Sequence, residues 1–126
     1  EDQTERYLGA LKAAGLNILG HPRGRIFNFR LGLSADWKKI CHAAAAADKA
    51  LEIDCYPDRQ DLDVERLAIA RRAGVKISLG TDSHHPWQLT FIELGLAAAI
   101  LSRIPQERIL NFWPREKLLA WATKNR

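Results

Sequence analysis

Methionine is absent from this 126-residue chain, so the sequence does not open on an initiator residue and is expected to be a piece of a longer product. Cysteine is scarce. Cys41 and Cys55 are too few for a disulfide framework and too isolated for a paired-thiolate zinc site. No apolar run approaches the roughly 20 residues that a membrane-spanning helix takes, and the opening EDQTERY is polar and acidic, unlike a signal peptide. The expectation is a cytoplasmic chain with no membrane partner. G-x-S-x-G, Walker A and G-x-G-x-x-G motifs are missing, which removes the standard acyl-transfer and nucleotide-binding signatures.

The composition that is present, 47% hydrophobic and 27% charged, is that of a folded domain and not of a disordered tail or a fibre. The net charge is +4. Residues 21–39 hold Arg23, Arg25, Arg30, Lys38 and Lys39 against Asp36 alone, so this one segment carries the whole excess. Guanidinium clusters favour phosphate-bearing ligands through forked, charge-assisted hydrogen bonds. The same cluster also reads as a solvated surface loop.

Apolar spacing predicts a helix over residues 3–14, with Gly15 closing it, and then the short strand LNILG. Ser34 is the expected N-cap of an alanine-rich helix over 35–49. ALEI reads as a second strand before a helix over 62–73 closed by Gly74, and VKISLG as a third. A strongly apolar helix over 89–102, expected to be buried on most sides, follows. A helical turn at Pro105 and a last helix over 114–124 complete the chain. Strands alternating with helices predict a parallel sheet built from βα units. Such units form either a small open sheet or part of a larger barrel, and the missing methionine favours the barrel.

Each predicted strand turns polar at its C-terminal end, where parallel α/β folds assemble their sites. The three clusters are Gly20-His21-Pro22-Arg23-Gly24-Arg25, then Glu52 to Asp61, then Gly80-Thr81-Asp82-Ser83-His84-His85. Taken singly, His21-Pro22 reads as a turn histidine and Asp82-x-His84 as loop hydrogen bonding or capping. Together at matching strand ends, a carboxylate and two imidazoles favour a divalent metal site for Zn, Mn or Fe. Cys41 reads as a core residue and His42 as a helix-surface one. Cys55 lacks an identifiable activating base, and His85 is a spare donor or merely exposed. Trp87 and Tyr56 read as packing residues that could also stack on a base.

His21-Pro22-Arg23-Gly24-Arg25, Leu51-Glu52-Ile53-Asp54 and Thr81-Asp82-Ser83-His84, in this order, resemble the C-terminal half of a PHP (polymerase and histidinol phosphatase) domain. The version most similar is the one at the C-terminus of family X DNA polymerases. The ending, residues 104–119, matches that version's terminal helices, and the resemblance runs from about residue 5 to residue 124.

The resemblance implies the C-terminal part of a distorted (β/α)7 TIM-like barrel, with residues 1–126 forming a single partial domain. It implies His21, Asp82 and His84 as metal ligands with catalytic roles, and Arg23, Arg25 and Arg59 near the substrate phosphate. Up to three ions would be held in a complete domain that hydrolyses phosphoesters, from histidinol phosphate to DNA 3′ ends. Its partners would be DNA or another phosphate ester, the upstream half of its own domain, and a polymerase module. Some members serve instead as non-catalytic platforms.

The family's H-x-H motif is absent from these residues, so the fragment alone is expected to be inactive. Asp54 stands where the family usually has Asn, and Gln60 where it usually has Leu.

Overall fold

Three short parallel strands organise the computed structural model, which describes residues 2–124. β1 (Ile18–Leu19), β2 (Ala50–Asp54) and β3 (Lys76–Gly80) lie in that order, with β2 in the middle. Ala50 pairs with both Ile18 and Lys76, and Asp54 with Gly80. Ala50, Leu51 and Ile53 are buried, as expected of a central strand covered on both faces. The expected alternation of strand and helix is therefore present as a mixed α/β chain with a small parallel sheet.

α1 (Thr4–Lys12) precedes the sheet, α2 (Trp37–Ala46) follows β1, α3 (Val64–Ala73) follows β2, and α4 (Ile92–Leu101) follows β3. α5 (Arg115–Thr123) closes the described chain. Leu11, Ile40, Leu51, Ile53, Leu62, Leu67, Val75 and Ile77 form the centre of the core between helices and sheet. Each such side chain, fully withdrawn from water, contributes about 1.5–3 kcal/mol.

α3 follows its sequence closely. Asp63 caps it by accepting the Arg66 N–H at 3.0 Å, and Gly74 ends it at φ 81°, a left-handed conformation open to glycine. α2 departs from expectation. Its cap is Asp36, which accepts the Lys39 N–H at 3.1 Å, and not Ser34. The Ser34 carbonyl instead accepts the Gln3 N–H at 2.9 Å, so the segment before the helix stays extended against the N-terminal residues.

β1 is shorter than the LNILG run because the chain leaves the sheet after Leu19: the next donor in line, the His21 N–H, goes to a side chain and not to a strand. The predicted 89–102 helix is divided into a 3-10 segment, Pro86–Phe91, and α4. Nor is α4 buried on most sides. It packs against β3 and α3, and its buried Gly95 lies against Cys55 and Ile53 at the end of β2, while Ile100 and Leu101 stay 66% and 72% exposed. Gly95 is required at that contact, since a Cβ there would overlap the Cys55 sulfur.

Between α4 and α5 the sequence predicts a single helical turn at Pro105. The structure has two 3-10 turns, Gln106–Arg108 and Leu110–Phe112, and a parallel bridge between Ile77 and Ile109. Asn111 completes this edge of β3: its side chain accepts the Leu79 N–H at 2.8 Å and donates to the Leu79 carbonyl at 3.0 Å. Among the described residues no helix is long and apolar enough to cross a membrane.

Candidate functional site

Two of the three expected ligands sit on unusual backbone. His21, just after β1, has φ 28°, and Asp82, just after β3, has φ 51°. Left-handed conformations are uncommon for residues other than glycine and concentrate where a site holds them. Between them stands Glu52 of β2, a carboxylate in the middle of an apolar strand. Its Oε2 accepts the His21 N–H at 2.6 Å. On the other side its carboxylate crosses Gly80, where any Cβ would overlap Oε1. Glu52 thus joins the ends of all three strands.

Asp82, His84 and Arg59 line one cleft of about 230 Å³ with Ile26, Tyr56 and Asp58. Arg59 Nε lies 3.7 Å from Asp82 Oδ2. His84 Nδ1 is 2.7 Å from the Asp82 carbonyl, which can only accept, so Nδ1 is the donor and Nε2 is the ring nitrogen not engaged by that contact. The Gln88 carboxamide oxygen accepts the N–H groups of His84 at 2.7 Å and His85 at 3.0 Å, which holds this turn in shape. His21 lines a separate cleft of about 450 Å³ beside Tyr7, Arg23 and Arg30. The structure therefore gathers Asp82, His84 and Arg59 but leaves His21 next door. Among the described residues no group of three or more His, Cys, Asp or Glu side chains is arranged to hold a metal ion.

Arg23 and Arg25 are engaged in framing the loop. Arg23 Nη1 pairs with Asp63 at 2.6 Å, and its Nη2 donates to the Leu31 carbonyl at 2.9 Å. Arg25 Nε donates to the Arg59 carbonyl at 2.9 Å. Asp61, fully buried, accepts the Arg23 N–H at 2.9 Å through Oδ2. Of the three arginines expected near phosphate, only Arg59 lines the cleft with Asp82 and His84.

The electrostatics follow from burial. The Asp54 carboxyl, 1% exposed, is pushed up to about 6, first by desolvation and further by the charges of Asp82 and Glu52; the Tyr56 N–H, donated at 3.0 Å, opposes this. Its Oδ2 has no hydrogen-bond partner among the described residues. Burial also raises Asp61, and it pushes the Cys55 thiol up to about 11 and Cys41 to about 12. Neither cysteine is a nucleophile at neutral pH. Tyr56 packs edge-on against Phe91, with centroids 5.2 Å apart, and Phe91 against Trp87 at 5.4 Å.

From sequence, Glu52 and Asp61 belong to the polar cluster after the second strand without an assigned role, and Asp63 lies outside it. The available clue was a charge inside an apolar strand, since a carboxylate in LEID conflicts with its surroundings unless something there requires it.

No protein-family model matches the chain. It is 29% identical over 116 residues to the DNA polymerase/3'-5' exonuclease PolX of Bacillus subtilis (strain 168), covering 92% of this chain and 20% of that protein. It is 31% identical over 121 residues to a probable phosphatase of Tolumonas auensis, covering 91% of this chain and 47% of the relative. To the probable phosphatase YcdX of Escherichia coli (strain K12) it is 29% identical over 121 residues, again with 91% and 47% covered. The chain thus spans less than half the length of each of these relatives.

Proposed function

We propose that this chain is the C-terminal part of a PHP-type, metal-dependent phosphoesterase domain of the distorted (β/α)7 kind. In this reading it processes DNA, as a 3′→5′ exonuclease or repair phosphodiesterase joined to a family X polymerase. The observation that carries the proposal is the convergence of Asp82, His84 and Arg59 on one cleft at the strand C-terminal ends. The names of the relatives, a polymerase/exonuclease and phosphatases, support phosphoester hydrolysis in general.

The donor set fits a borderline divalent ion such as Zn, Mn or Fe: one carboxylate, and one imidazole whose ring is oriented by its Nδ1 contact to the Asp82 carbonyl. Asp82 and His84 would hold such an ion, with His21 joining from the adjacent cleft. The remaining ligands, for up to three ions, would come from an upstream half bearing H-x-H. A bound divalent ion supplies Lewis-acid polarisation of the phosphoryl group and a more acidic water.

The chain's own residues do the rest. Arg59, already beside Asp82, meets the negative phosphate oxygens. Arg23 and Arg25 act by fixing the loop that carries His21. Glu52 sets where that histidine begins.

Two outcomes test this in a protein carrying the chain together with upstream residues. Asp82→Ala is expected to abolish hydrolysis and to lower the bound metal measured by mass spectrometry; full activity in that variant overturns the proposal. A second reading, a small-molecule phosphatase of the histidinol-phosphatase type, draws on the phosphatase relatives. Substrate affinity that falls steeply with salt favours DNA, because each neutralised backbone phosphate releases counterions. A salt-insensitive KM favours the small substrate. Absence of any hydrolysis favours a non-catalytic platform.

A further inference from the structure

The loop from β1 to α2 ends in a feature the proposed chemistry does not use. Ile26 and Arg30 exchange backbone hydrogen bonds at 2.9 and 2.8 Å, so Phe27, Asn28 and Phe29 form the tip of a tight antiparallel turn. Asn28 takes φ 56° to close it. Phe27 is 64% exposed, Phe29 83% and Leu31 90%. The turn is nonetheless built rather than loose. The Phe27 N–H donates to the Asp58 carbonyl at 2.7 Å, Arg23 donates to the Leu31 carbonyl at its base, and Arg25, just before it, donates to the Arg59 carbonyl. Asp58 and Ile26 both line the cleft that holds Asp82 and His84, so the turn is fastened to that cleft's wall.

Two exposed aromatic side chains, two positions apart on a fixed turn, call for an occupant. Charge indicates which one. Arg30, Lys38 and Lys39 make no ion pair among the described residues, and they share the segment that carries the chain's whole positive excess. Exposed aromatic rings beside the unpaired Arg30 guanidinium suit a strand that offers bare base faces and a phosphate backbone together. An apolar protein segment would cover the phenylalanines but leave the cations unanswered.

We propose that the Phe27–Phe29 turn is a stacking platform for unpaired nucleotides. Phe27 and Phe29 take the bases, Arg30 takes the backbone, and the strand leads on to the cleft lined by Arg59. This rests on the DNA-processing reading and adds the element that selects single strands over duplex.

The test is a fluorescence anisotropy titration of a labelled twelve-nucleotide oligo(dT) with a protein carrying the chain together with its upstream residues. EDTA is present, so the readout is independent of metal and of hydrolysis. Stacking of about 1–3 kcal/mol per base corresponds to roughly 5- to 150-fold in affinity. Phe27→Ala and Phe29→Ala are each expected to weaken binding by at least about 5-fold on this basis. Arg30→Gln is expected to make the slope of log affinity against log salt shallower by about 0.7. Phe112→Ala, at an exposed aromatic on a distant turn, is expected to bind as the parent does, and duplex of the same length to bind more weakly than the single strand.

Parent-like affinity in both phenylalanine variants, or duplex bound as tightly as the single strand, overturns the platform. So does a light-scattering mass showing that Phe29→Ala dissolves a dimer, since a second copy would then be the occupant. None of these results bears on Asp82, whose test reads hydrolysis and metal content.

Discussion

The Glu52 carboxylate accepts the backbone N–H of His21 at 2.6 Å, across the gap where β1 has already ended. The bond replaces a strand-to-strand hydrogen bond with a charged one and turns the chain so that His21 enters a left-handed conformation. A loop residue is thereby positioned by the rigid central strand.

Removing that acceptor has a measurable consequence. Glu52→Ala is expected to cost about 1 kcal/mol, because a charge-assisted bond is lost and its exposed donor turns to water. Amide hydrogen exchange at His21 should accelerate, while Glu52→Gln, which keeps an accepting oxygen, should restore much of the protection. Gly80→Ala should mimic the loss, since its Cβ displaces the same carboxylate. Exchange at His21 that is unchanged in Glu52→Ala would rule this positioning out.

Asp54 gives a pH dependence with a definite sign. Its folded-state value, pushed up to about 6, lies above its ordinary value of 3.8, so the folded chain holds the proton more tightly than the unfolded chain. Stability therefore falls as pH rises from about 4 to about 6 and levels off above that. Asp54→Asn removes the buried charge and is expected to stabilise the chain at pH 7.5 by at most about 3 kcal/mol, with little gain at pH 4. Denaturant unfolding at both pH values checks it. An equal gain at both would assign the effect to hydrogen bonding instead.

Asp63 serves two elements. It caps α3 through the Arg66 N–H at 3.0 Å and pairs with Arg23 of the β1–α2 loop at 2.6 Å. Asp63→Ala is expected to cost about 2–3 kcal/mol, the cap contributing about 1 and the partly buried Arg23 charge the remainder. Asp63→Asn keeps the cap but loses the ion pair, and should fall between the parent and the alanine variant in thermal unfolding.

Elements governed by neighbours in sequence were legible from it. α3 is the clearest: Gly74 closes it where the spacing predicts, through local backbone geometry, although its start falls at the Asp63 cap and not at residue 62. The clustering of polar residues at strand ends was legible for the same reason, because side-chain chemistry changes abruptly where an apolar run stops. What failed depended on partners far along the chain. Ser34 and Asp36 are equivalent caps by local preference, and Gln3 decides between them by occupying the Ser34 carbonyl. The apolar composition of α4 predicted burial, but burial is set by what packs around a helix, and here only one side is covered.

The arginines show the same division. Arg23, Arg25 and Arg59 look alike in sequence as phosphate-seeking cations. The fold sets Asp63 and the carbonyls of Leu31 and Arg59 against the first two and brings only Arg59 to Asp82 and His84. By itself the sequence determined the alternation of strand and helix, the polar strand ends and the donor types available there, all of which follow from residue chemistry and spacing. Only the tertiary structure decided which donors share a cleft, and why His21 stands apart: that depends on Glu52 reaching across the sheet, a contact between residues 31 positions apart that no local preference encodes.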